Sequence, residues 1–210
     1  MSFADAVEGR HSVRRFRPDP VPRGDVRELV RLATRAANAN NAQMWRFVAV
    51  DDRATLERMR AAIVTRLDEI AAWPEVVAAG ESTATRAMAG SLTLFADAPL
   101  VVAVFGLPYA SRGDRLLELR GLSRDEHDRL RQRPDLQSVG AAVQLLCTAA
   151  HTFGYGSCWM SAPVLAAESL ERVLGEEPPA RLVALVPIGR PAGRVRGTRR
   201  LPLDDVLRFV

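Results

Sequence analysis

Arg10, Ser12 and Arg14 alternate along Arg10-His11-Ser12-Val13-Arg14. On an extended turn that alternation sets two guanidiniums and a hydroxyl on one side, a group that can hold a phosphate or a polarised carbonyl. A basic surface arm accounts for the same residues equally well. A second polar island is Asn38-Ala39-Asn40-Asn41-Ala42-Gln43-Met44-Trp45-Arg46-Phe47. Its side-chain amides both donate and accept, as a flavin or purine edge requires; a turn capping a helix is the plainer alternative. The third island, Arg194-Val195-Arg196-Gly197-Thr198-Arg199-Arg200-Leu201-Pro202-Leu203, reads by itself as a solvated basic turn.

Other chemistries lack their residues. There is no G-x-S-x-G elbow, no G-x-x-x-x-G-K-[ST] phosphate loop, no H-E-x-x-H, and no G-x-G-x-x-G between a strand and a helix. His11, His127 and His151 are far apart and without cysteine or carboxylate company, so no metal site is expected. His151 reads as a core or interface residue and His127 as a solvated one. All 29 basic residues are arginine, which excludes Schiff-base and lysine proton chemistry. With a net charge of +4 the basic residues are too scattered for a nucleic-acid surface. Cys147 and Cys158 form no C-x-x-C pair, and no stretch is apolar enough to span a membrane. Those features, and an N-terminus without a signal pattern, fit a cytoplasmic protein.

These residues need elements to hold them. Phe3–Gly9 reads as a short helix, and Pro18, Pro20 and Pro22 force an extended connection after it. Asp25 is the expected N-cap of a helix whose face carries Val26, Leu29, Val30, Ala33 and Ala37. Phe47–Val50 reads as a strand, Thr55–Ile70 as an amphipathic helix and Ala98–Phe105 as a buried strand. Within the poorly legible stretch 75–133, Leu116–Arg120 and Arg124–Arg131 look helical, either as a lid or, preferably, as a solvated pair. Ser138–Gly154 is apolar almost all round, as a central or interface helix would be, with Gly154 as its C′ residue. Tyr155–Met160 looks extended, Glu168–Leu174 helical, Leu182–Ile188 a strand and Leu203–Phe209 a final amphipathic segment. The whole reads as one domain over 1–210, of α+β class, with a mixed, mainly antiparallel sheet flanked by helices.

Together the islands resemble the FMN-dependent nitroreductase family. Arg10-His11-Ser12-Val13-Arg14 is similar to its R-[RH]-S-x-[RK] segment. Asn41, Gln43, Trp45 and Phe47 match its A-P-S-x-x-N-x-Q-P-W-x-F motif, with Asn38 where serine is usual and Met44 where proline is usual. Gly140–Leu146 and Gly154–Trp159 resemble G-A-A-x-Q-N-L and G-L-G-S-C-W. Gly189-Arg190-Pro191 and Arg200-Leu201-Pro202-Leu203 resemble the closing G-Y-P and R-x-P-L, with Arg190 replacing the common aromatic.

The resemblance implies a homodimer built on a long interface helix, here Ser138–Gly154, with FMN at the subunit boundary. It implies that Arg10, Ser12 and Arg14 hold the flavin from one side, that His11 and Arg200 reach its phosphate, and that Asn38, Asn40 and Gln43 come from the other subunit. Met160 and Ser161 match the stretch whose backbone N–H faces flavin N5. The implied activity is ping-pong hydride transfer from NAD(P)H to a nitroaromatic, quinone or similar small acceptor. The cofactor supplies that chemistry, and Arg14 is the candidate for stabilising its reduced form. A specialised biosynthetic flavin enzyme (dehydrogenating, dehalogenating or fragmenting the flavin) and a flavin-binding protein without turnover are the alternatives.

Overall fold

The computed structural model describes residues 1–195 and 197–210. Arg196, in the third polar island, lies outside the described residues. The α+β expectation holds. Four strands, β1 (Trp45–Val50), β2 (Leu100–Gly106), β3 (Gly156–Ser157) and β4 (Arg181–Gly189), form one sheet in the order β1-β2-β4-β3, with every neighbouring pair antiparallel. Trp45 faces Gly106 across the first pair, and Leu100 faces Ile188 across the second.

Helices cover both faces, which is why β2 is apolar along its length rather than alternating. Leu100, Val102 and Val104 point to a layer containing α2 (Arg23–Ala33) and α9 (Pro134–Thr152), where Leu29, Val139, Val143 and Leu146 are buried. Val101, Ala103 and Phe105 point to the opposite layer, where Leu56, Met59 and Ile63 of α3 (Arg53–Ala71) meet Leu170 of α10 (Ala167–Leu174). A strand's two-residue period divides one apolar run between two cores.

α9 ends as expected at Gly154, which has φ +77. Its N–H donates to the His151 carbonyl and the Tyr155 N–H to that of Ala150, both at 2.9 Å, the paired bonds of a Schellman cap. The start of α2 differs from expectation. The helix begins at Arg23 with Pro22 at the N-cap, where a missing N–H costs nothing, and Asp25 lies inside the first turn. The Asp25 carboxylate instead accepts a hydrogen bond from the Tyr155 hydroxyl at 2.5 Å. The helix also stops at Ala33, leaving Ala37 outside it and exposed.

The stretch 75–133 contains α4 (Pro74–Ala78), α5 (Ser82–Ala87) and α6 (Ala89–Leu92), then β2, then α7 (Arg112–Leu119) and α8 (Arg124–Arg131). α7 and α8 form a two-helix arm clamped by Arg131, which reaches Asp114 at 3.0 Å and the Ser111 hydroxyl at 3.0 Å. Burial alone would raise the Asp114 carboxyl, but hydrogen bonds from Ser111 and the Arg131 guanidinium outweigh it and hold the group at about 2. His127 is buried rather than solvated, since the arm folds its side of α8 inward. The tail does not form the expected amphipathic segment: Leu203–Asp205 is a single 3₁₀ turn, and every residue from Leu203 to Val210 is exposed. Among the described residues no helix is long and apolar enough to cross a membrane.

Candidate functional site

Beyond α1 (Phe3–Gly9), Ser12–Arg17 runs along the sheet edge. The Val13 N–H donates to the Ser157 carbonyl at 2.9 Å, and Ser12 bridges Ser157 in parallel fashion. Phe16 pairs antiparallel with Pro191, and the Arg17 N–H donates to the Arg190 carbonyl at 2.8 Å. Val13 is buried over Gly156, where a Cβ would come within 2.5 Å of the Val13 side chain, so that side chain packs directly on the Gly156 backbone, closer than a residue with a Cβ allows. With Val13 turned inward, Ser12 and Arg14 stand exposed, and Arg10 and His11 are half-buried.

Two clefts flank this strand. One, of about 320 Å³, is lined by Arg10, His11, His151, Tyr155, Ser157 and Val195, among others. The other, of about 450 Å³, lies between Ser12–Arg15 and Ala192–Val195. The tail crosses His11 at Gly197, where a Cβ would lie 3.2 Å from the imidazole. Arg10, His11, Ser12 and Arg14 are thus gathered beside the start of the third island. Arg200 lines neither cleft; it is exposed and donates to the Thr198 hydroxyl at 2.8 Å.

The amide island is built differently. The Asn38 side-chain oxygen accepts from the Gln43 N–H at 2.8 Å, and its amide nitrogen donates to the Ala36 carbonyl at 3.2 Å. Asn38 therefore closes the loop. Asn40, Asn41 and Gln43 have φ of 53, 52 and 49, in the left-handed region that asparagine tolerates better than most residues. Asn40 donates to the Tyr109 hydroxyl at 2.8 Å, while the exposed Gln43 side chain makes no hydrogen bond among the described residues. Met44, at the position of the usual proline, is fully buried, and its carbonyl accepts from the Leu107 N–H at 3.0 Å. The loop is anchored to α9 through the Ala39 N–H, which donates to the Ser138 hydroxyl at 3.2 Å.

The two islands lie at opposite ends of α9. Ala39 meets Ser138, whereas Gly9 sits against His151, where a Cβ would lie 2.7 Å from the imidazole. Thirteen residues of helix rise separate those contacts by about 20 Å. Between them α9 leaves a stripe uncovered: Gln137, Ala141, Gln144, Thr148 and Thr152 recur at helical spacing and are exposed or half-exposed. The chain from Tyr155 to Met160 runs back along α9, so that Trp159 lies over Gly140. The Met160 N–H donates to the Leu185 carbonyl at 2.9 Å and is committed to that pairing. Of the two residues expected to offer an amide, Ser161 is the one left.

Sequence reasoning missed Tyr109, Arg15 and Tyr155. Tyr109 carries a usable signal, a polar aromatic three residues past the end of a buried strand, where functional loops gather. Burial, then the hydrogen bond to Asp25, pushes the Tyr155 hydroxyl up, and the Arg190 guanidinium stacks on its ring at 5.3 Å. Burial likewise pushes the Cys147 thiol up, which keeps it protonated and without nucleophilic character at neutral pH. Among the described residues no three His, Cys, Asp or Glu side chains cluster as metal ligands would.

Residues 7–190 match the model of the Nitroreductase family. A BluB-like flavoprotein from Clostridium difficile 630 has the same fold, with a TM-score of 0.91 and 28% identity over 100% of this chain and 99% of that one. A 5,6-dimethylbenzimidazole synthase from Rhodospirillum rubrum is 30% identical over 197 residues, covering 90% of this chain and 84% of that protein. An NADH dehydrogenase from Thermus thermophilus is 51% identical over 53 residues, and that match spans only 26% of its length.

Proposed function

Because the chain belongs to the nitroreductase family, an oxidoreductase family, we propose that it binds FMN at the boundary between two copies of itself and passes a hydride from NAD(P)H to a small acceptor such as a quinone or nitroaromatic. The observation that carries this reading is the placement of the guanidinium and amide islands at opposite ends of one incompletely covered helix. About 20 Å apart in one chain, they converge on a single ligand when a second copy packs antiparallel along the stripe.

The donor set fits the cofactor. Arg10 and His11, with Arg200 brought in by the tail, suit the phosphate, and Ser12 and Arg14 suit the ribityl and pyrimidine portions. Asn40 and Gln43 of the second copy offer amides to the ring edge, Asn38 holds their loop closed, and the Ser161 N–H serves the reactive nitrogen. Bound FMN supplies the hydride chemistry. Arg14 opposes the negative charge that two-electron reduction adds at the pyrimidine edge, and Tyr109 fixes Asn40.

The likeness over most of the chain to a 5,6-dimethylbenzimidazole synthase and a BluB-like flavoprotein favours a second reading, in which FMN itself is consumed by fragmentation. One pair of assays separates the two. FMN-loaded protein is mixed with NADH or NADPH and a quinone, and nicotinamide oxidation is followed; turnover supports the first reading. Protein carrying reduced FMN is then exposed to oxygen and its small molecules are analysed. Release of 5,6-dimethylbenzimidazole without nicotinamide turnover replaces the first reading with the second.

A further inference from the structure

The cleft between Ser12–Arg15 and Ala192–Val195 holds more positive charge than the flavin reading uses. Arg14, Arg15 and Arg194 all line it, and among the described residues no carboxylate does. Its walls are tied to each other: the Ala192 N–H donates to the Arg15 carbonyl at 3.0 Å, and Phe16 pairs with Pro191. The guanidiniums stand on a fixed frame. Several other surface arginines are neutralised by a carboxylate, as in Arg46 with Glu176 and Arg60 with Asp97, each at 2.6 Å. Among the described residues no carboxylate pairs with Arg14, Arg15 or Arg194. Like charges gathered in a concave site raise the local potential and favour a compact, doubly charged anion.

Under the proposed reading the flavin phosphate takes another seat, with Arg10 and His11, which line the neighbouring cleft on the far side of Val13 and Val195. Quinones and nitroaromatics carry no phosphate. The anion that reaches this second cleft therefore arrives on the electron donor. We propose that this cleft, through the Arg15 and Arg194 that the flavin leaves unused, is a phosphomonoester site that recognises the 2′-phosphate of NADPH and so selects NADPH over NADH. This rests on the reading of the chain as a nicotinamide-dependent flavin reductase.

The test is calorimetric titration of FMN-loaded protein with 2′,5′-ADP and with 5′-AMP, with FMN affinity measured separately by fluorescence quenching. The expected result is binding of 2′,5′-ADP at least about tenfold tighter than 5′-AMP, the size of one charge-assisted contact. The exposed pair Arg15→Gln/Arg194→Gln abolishes that preference and leaves FMN affinity within about twofold. Equal binding of the two nucleotides by the unaltered protein overturns the proposal, as does a preference that survives in the double variant. A double variant that loses FMN about tenfold or more shows the cleft to be the flavin's own phosphate seat, and also overturns it. Failure of the flavin reading is seen independently: the unaltered protein then binds no FMN, while its nucleotide preference is still read on the unloaded protein.

Discussion

At the C-terminal end of α9, Arg10, His11, Ser12 and Arg14 lie on or beside a strand whose backbone is bonded to β3 and to residues 190–192. At the N-terminal end, the amides sit on a loop of left-handed residues closed by one asparagine and tied to Leu107 and Tyr109, on the connection that leads into the two-helix arm. The first end is held by backbone pairing, in which side-chain identity matters little except where chains touch. The second is held by side chains, so each residue there both shapes the loop and equips it. Under the proposed reading, charged groups that meet a phosphate gain from a fixed frame, whereas a loop facing varied acceptors can be rebuilt by few substitutions.

The most severe test of this contrast is Gly156→Val. Its branched side chain would enter the space of Val13, displace the strand, and cost about 3 kcal/mol in a urea unfolding titration. A variant of unchanged stability would show that the strand is not held by the packing of Val13 on the Gly156 backbone. Next comes Arg14→Ala, which should weaken FMN binding about tenfold by fluorescence titration, with the unfolding midpoint unchanged. A loss of stability equal to the loss of affinity would mean that this end, too, is held by its side chains.

At the other end, acid should act on the arm before it acts on the body. The Asp114 carboxyl is held down at about 2, below its unfolded value, so its stabilising effect is complete above about pH 4 and is lost as pH falls towards 2. Hydrogen exchange over that range should show α7 and α8 losing protection while β2 and β4 keep theirs; simultaneous loss would contradict a separate arm. The smallest expected effect is Asn41→Gly. Glycine accepts φ 52 without a Cβ penalty, so the variant should gain about 0.5 kcal/mol in the same urea titration. A loss there would mean that the Asn41 side chain holds the loop.

What could be read from sequence follows the same division. Ala98–Phe105 is legible because burial on both faces makes a strand apolar throughout, and Ser138–Gly154 because its many buried positions make most of the helix apolar. Arg10, Ser12 and Arg14 are legible as a spacing. Asp25 misleads because its carboxylate is taken by Tyr155, a partner 130 positions away that no local rule supplies. Asn38 and Asn40 look alike in sequence, yet one closes the loop and the other meets Tyr109, a division of labour set by backbone conformation. His127 reads as solvated because its sequence neighbours are charged, yet it is buried, on a helix whose Arg131 is clamped to α7.

The length of α9 has a consequence for handling the protein. Under the proposed reading a cofactor that touches both of its ends belongs to two molecules at once, so retention of the cofactor obeys mass action in the protein itself. Dilution would then bleach the sample, and concentration restore its colour, with a midpoint that tracks the assembly equilibrium.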